Sequence, residues 1–151
     1  MSEHVAAGGS PDRDESVADS AGNGVVADDI VDVVVPLRAE FAATLRVVAA
    51  TLGADAGFTV DEIDDLRLAL SEVFSSLADG APEGRCRARF HRRDDGLAVT
   101  LGWESPGATI VLDDLAATIL ATVVDEYRSD TVGVTLVKRA GEALPGAAVE
   151  R

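Results

Sequence analysis

Apolar residues recur along this chain with two periods, and the changes between them mark its elements. Ile30-Val31-Asp32-Val33-Val34-Val35 is β-branched and stops at Pro36, which has no N–H to give a ladder, so it predicts a strand. Phe41, Leu45, Val48 and Leu52 then return at three- and four-residue steps, predicting a helix from Arg38 to Leu52 that Gly53 stops. A second helix is expected from Asp61 to Asp79. Thr59 is placed to cap it, Asp61 and Glu62 favour its first turn, and Gly80 and Pro82 end it.

The period then shortens. Cys86, Ala88 and Phe90 alternate with Arg85, Arg87 and Arg89, and Leu97, Val99, Leu101 and Trp103 point one way along the next run. Asp94-Asp95-Gly96 between them is a hairpin signal. A third helix is expected from Leu112 to Tyr127, with Leu115, Ile119, Val123 and Tyr127 on one side. A closing strand from Thr131 to Val137 would carry Val132, Val134 and Leu136 on one face. Three helices and four or five strands in this order pack most economically as a two-layer α/β sandwich, with the helices on one face of a sheet.

Residues 1–28 lack any apolar period and are rich in Gly, Ser, Asp and Ala, which predicts a disordered acidic tail. One domain is expected over 29–140, followed by a frayed tail over 141–151. The formal net charge of −14 repels phosphate backbones and argues against direct nucleic-acid binding, while favouring encounter with a basic protein. The single cysteine, Cys86, cannot form an internal disulfide, and no leader or membrane-spanning run is visible. A cytoplasmic protein is the expectation. Arginine outnumbers lysine twelve to one, a hint of a GC-rich bacterial genome.

At about 100° per residue, Leu66, Ala69, Leu70, Val73, Phe74 and Leu77 share one arc of the second helix. Glu72 and Ser76 stand one turn apart on its shoulder. A carboxylate there is partly desolvated, so it either pairs, reaches water or has a task. The run over 64–77, Asp-Asp-Leu-Arg-Leu-Ala-Leu-Ser-Glu-Val-Phe-Ser-Ser-Leu, resembles the N-box helix of the GHKL ATPases. Within them it is most similar to the anti-sigma factors and serine kinases of the RsbW and SpoIIAB type, nearest the actinobacterial UsfX-like branch. The resemblance reaches from Val33 to Arg139 and implies the GHKL (Bergerat) sandwich with a mixed sheet.

It also implies a nucleotide site. In that family the glutamate, here Glu72, activates a nucleophile, and an asparagine four residues on ligates the magnesium of ATP; Ser76 stands there instead. The family's Asp-x-Gly-x-Gly box falls on Trp103-Glu104-Ser105-Pro106-Gly107, so Trp103 replaces the adenine-binding aspartate and only Gly107 is kept. The stretch from Ala108 to Leu112 is too short for a phosphate-covering lid. No cofactor is therefore expected. ATP and magnesium belong to the rival reading, an active kinase that phosphorylates its antagonist.

The leading expectation is an anti-sigma factor that sequesters an alternative, stress-response sigma factor. The resemblance implies a homodimer and release by an anti-anti-sigma protein of the STAS fold. Arg38, Phe41 and Arg46, on the first helix, are the candidate sigma contacts. A third reading is a scaffold subunit without sigma binding. The Arg85, Arg87 and Arg89 stripe is either a docking surface or the solvated face of a one-sided sheet. Neither His4 nor His91 has companions at metal spacing, and Ser71 has no accompanying base.

Overall fold

The computed structural model describes residues 29–104 and 111–141. The expected N-terminal tail, Gly107 and all but the first residue of the C-terminal tail lie outside them. Strand β1 spans Ile30–Pro36, and a 3-10 turn at Ala39–Phe41 leads into helix α1, Ala42–Asp55. Then come α2 (Val60–Gly80), β2 (Arg85–Arg93), β3 (Gly96–Glu104), α3 (Asp114–Val123), β4 (Glu126–Ser129) and β5 (Gly133–Arg139). The strands form one sheet in the order β1-β2-β3-β5-β4.

The sheet is antiparallel, and the mixed sheet expected from the family resemblance is not found. β2 with β3, β3 with β5 and β4 with β5 all pair antiparallel. For β1 the direction follows from two contacts. Asp32 reaches Arg89 at 2.9 Å, and the Leu37 N–H donates to the Gly84 carbonyl, also at 2.9 Å. Advancing five residues along β1 thus retreats five along β2. Every connection between neighbouring strands can then be a hairpin or pass through a helix without a parallel crossover.

One face of the sheet is apolar. Val35, Cys86, Ala88, Phe90, Leu97, Val99, Leu101, Val134 and Leu136 are buried there against Leu45 and Ala49 of α1, Leu66, Leu70, Phe74 and Leu77 of α2, and Leu120 of α3. The opposite face carries the arginine stripe. Much of that stripe is neutralised within the sheet: Arg89 holds Asp32 through two bonds at 2.9 and 3.0 Å, and Arg87 meets Glu104 at 3.5 Å. Among the described residues, no helix is long and apolar enough to cross a membrane.

Helix α2 starts where its sequence says it should. The Glu62 N–H donates to Thr59 Oγ1 at 3.1 Å, while Glu62 Oε1 accepts from the Thr59 N–H at 2.8 Å, a reciprocal capping box. At the β2–β3 hairpin, Gly96 has φ +157°, and a Cβ there would lie 2.1 Å from the Lys138 carbonyl oxygen.

Three expectations are corrected. Gly53 does not stop α1: it is buried inside the last turn, where a Cβ would come within 3.0 Å of the Phe58 ring. The stop falls instead at Ala56-Gly57, where Gly57 takes φ +87°. The third helix ends at Val123, not Tyr127. Beyond it the chain finds a ladder on β5, beginning with the Asp125 N–H on the Val137 carbonyl, and Tyr127 becomes part of β4. Leu115 is accordingly 68% exposed, and the buried face of α3 is Ala116, Leu120 and Val123. Val132 is 72% exposed because it precedes β5, in a turn where Asp130 Oδ1 accepts from the Val132 and Gly133 N–H groups.

Candidate functional site

The motif helix supplies the candidate site. Leu66, Ala69, Leu70, Val73, Phe74 and Leu77 are all buried, so the arc read from the sequence is the face that meets the core. Asp65, Glu72 and Ser76 fall within about 40° of one another at about 100° per residue, on one shoulder of α2, and each is half-buried.

That shoulder lies toward α3. Lys138, on β5, donates from Nζ to Asp65 Oδ2 at 3.3 Å and to the Val123 carbonyl at 2.9 Å. One ammonium thus joins the first half of α2 to the C-terminal end of α3. Glu72 and Ser76 continue the same shoulder two and three turns further along α2.

The groups at the shoulder are few. The Ser76 hydroxyl donates back to the Glu72 carbonyl at 3.2 Å, so its hydrogen is committed within the helix and its lone pairs alone face outward. The Glu72 carboxylate forms no ion pair or hydrogen bond among the described residues. No group of three or more His, Cys, Asp or Glu is arranged to hold a metal ion among them. Chemically, the shoulder offers the Glu72 carboxylate, the Asp65 carboxylate already paired with Lys138, and one weak oxygen ligand. An Mg-triphosphate needs cations and convergent amide donors as well.

Trp103 lies near the end of β3, opposite Cys86 of β2, and its half-buried indole packs against the core. It follows Leu97, Val99 and Leu101 on the inner face, as its alternation predicts.

The three residues picked for partner contact are engaged at home. The Arg38 guanidinium lies 5.1 Å from the centre of the Phe41 ring and 3.6 Å from Glu40. Phe41 itself packs against the core, and Arg46 Nη1 donates to Ser71 on α2 at 3.3 Å. Arg38 remains exposed; Phe41 and Arg46 are half-buried.

Sequence reasoning passed over Lys138 and Asp65. The signal was present: Lys138 follows Val134 and Leu136 at alternate positions, so the only lysine continues the core face of its strand. Comparison with protein-family models and with curated proteins finds no match to this chain.

Proposed function

We propose that this chain is an anti-sigma factor of the RsbW and SpoIIAB type, on a GHKL-like sandwich whose nucleotide site has decayed. It would bind an alternative sigma factor in the cytoplasm and release it to a STAS-fold antagonist. The observation that carries this reading is the 64–77 motif. It occupies one continuous helix, with Leu66, Ala69, Leu70, Val73, Phe74 and Leu77 in the core and Glu72 and Ser76 together on one half-buried shoulder. The loss of chemistry fits the same picture. A bulky indole stands where an adenine-binding carboxylate would be needed, and the magnesium-ligating amide is replaced by a hydroxyl bonded to its own helix. The net charge of −14 complements a sigma factor, whose DNA-contacting regions are basic.

The rival is an active serine kinase, favoured by one observation: Glu72 keeps a carboxylate without an ion pair among the described residues. Calorimetric titration with Mg-ATP separates the two. The anti-sigma reading expects no binding in the micromolar range. Micromolar binding that Glu72→Ala abolishes would restore the kinase. Affinity capture on the full chain, with bound proteins identified by mass spectrometry, tests the function itself: it should recover a sigma factor, and recovery of none under any stress would favour the scaffold reading.

A further inference from the structure

On the sheet face away from the helices, one row runs straight across four strands. Arg89 of β2, Thr100 of β3, Thr135 of β5 and Arg128 of β4 are successive cross-strand partners. Cross-strand partners share a face, so these four side chains stand together. The two threonine hydroxyls lie 3.3 Å apart at the middle of the row. The Gly102–Gly133 pair flanks them on one side, and the Ala98–Val137 pair on the other. The two inner strands thus make a low, uncharged floor between arginines. Strands lie about 4.8 Å apart, so Arg89 and Arg128 are separated by roughly 14 Å. An α-helix with its side chains is about 10–12 Å across.

The charge of this face runs against that of the chain. Arg85, Arg87, Arg89, Arg93, Arg128 and Arg139 project from it, six of the chain's 13 lysines and arginines. Asp32, Glu104, Glu126 and, at the hairpin, Asp95 are only four of its 27 acids. Pairing on the face leaves donors to spare. The Arg87 and Arg89 side chains remain 48% and 53% exposed, and Arg85 and Arg128 form no ion pair among the described residues. We propose that this face docks an acidic α-helix of a partner protein, lying on the Gly-Ala-Thr floor with its carboxylates directed at the arginines on either side. A nucleic acid fits less well. Its phosphates would meet the four carboxylates, and no Phe, Tyr or Trp falls in the outward phase of the described strands to stack a base.

This surface lies across the sheet from the α2 shoulder, so sigma capture stands or falls apart from it. The test is fluorescence anisotropy of the full chain, at low salt, with a labelled alanine-rich helical peptide carrying glutamates. The chain as a whole repels a polyanion, so binding of this peptide reports a local basic surface. It should bind, and the same peptide with glutamine for every glutamate should bind at least about tenfold more weakly. Arg128→Glu, and Thr100→Glu on the floor, should each weaken binding about fivefold. Arg67→Glu, the same change of charge as Arg128→Glu but on exposed α2, should leave it within about twofold. Thermal melts confirm that each variant is folded. No binding, equal binding of the two peptides, equal losses from the sheet and α2 variants, or tighter binding of oligothymidylate would overturn the proposal. In a second measurement, irradiation of Thr100→benzoylphenylalanine should join the glutamate peptide to the chain. Cross-links only within one chain, or between two copies, would give the face to those occupants and overturn the proposal.

Discussion

Lys138 Nζ donates to the carbonyl oxygen of Val123 at 2.9 Å, so the only lysine of the chain closes the C-terminal end of α3. That carbonyl is one of the helix's unpaired acceptors, and a cation there also meets the negative end of the helix dipole. The same ammonium holds Asp65 of α2, and its side chain is only 12% exposed.

Replacing Lys138 by Met should therefore destabilise the fold by about 2 kcal/mol, because a buried acceptor loses a charged donor. Asp65→Asn should cost less than about 1 kcal/mol, since that carboxylate is 43% exposed and water can replace its partner. Urea denaturation of the two variants checks the ranking.

Glu62 links the start of α2 to the end of β5: one oxygen accepts from the Thr59 N–H at 2.8 Å, the other from the Gly141 N–H at 2.7 Å. Partial burial opposes the charged form, but these two N–H groups prevail and hold the carboxyl below its ordinary 4.5. A carboxyl depressed in the folded state stabilises above its unfolded value and loses that contribution as pH falls through its folded one. Stability should thus decline below about pH 4.5, and Glu62→Gln should flatten that decline. Asp32, lowered by its Arg89 hydrogen bond, acts in the same direction, so some slope should persist in the variant. Thermal melts at stepped pH read both effects.

Leu115 and Leu120 look alike in an apolar run but differ in the fold. Leu115→Ala should change stability by no more than about 0.5 kcal/mol, while Leu120→Ala, which empties a fully buried site, should cost about 3 kcal/mol. Equal effects would mean that α3 is rotated from the face described.

Cys86 is wholly buried between the sheet and the helices, and desolvation pushes its thiol up to about 12. A thiol-reactive dye should label the folded protein only as fast as it unfolds, and label denatured protein at once. Rapid labelling under native conditions would contradict this core position.

Much of the fold was legible wherever one period ran unbroken. The α2 arc, its Thr59 cap and the Cys86-Ala88-Phe90 alternation all appear as read, because each is a local pattern with a local cause. The failures share another cause. Val123 to Tyr127 reads as helix until β5 is there to receive a strand, and Val132 reads as core until Asp130 claims its N–H for a turn. Gly53 reads as a stop unless Phe58 is known to fold back onto it. At the candidate site, the shoulder of Glu72 and Ser76 follows from helix geometry alone. The ties of Arg46 to Ser71 and of Lys138 to Asp65 join residues 25 and 73 positions apart, which no local period encodes.

Sigma sequestration is tested most directly by transcription in vitro, with core polymerase, one purified alternative sigma factor at a time and the full chain. The account predicts that near-equimolar chain silences at least one of these sigma factors without added ATP, and that excess of that sigma factor restores transcription. Folded chain that leaves every alternative sigma factor active would contradict it.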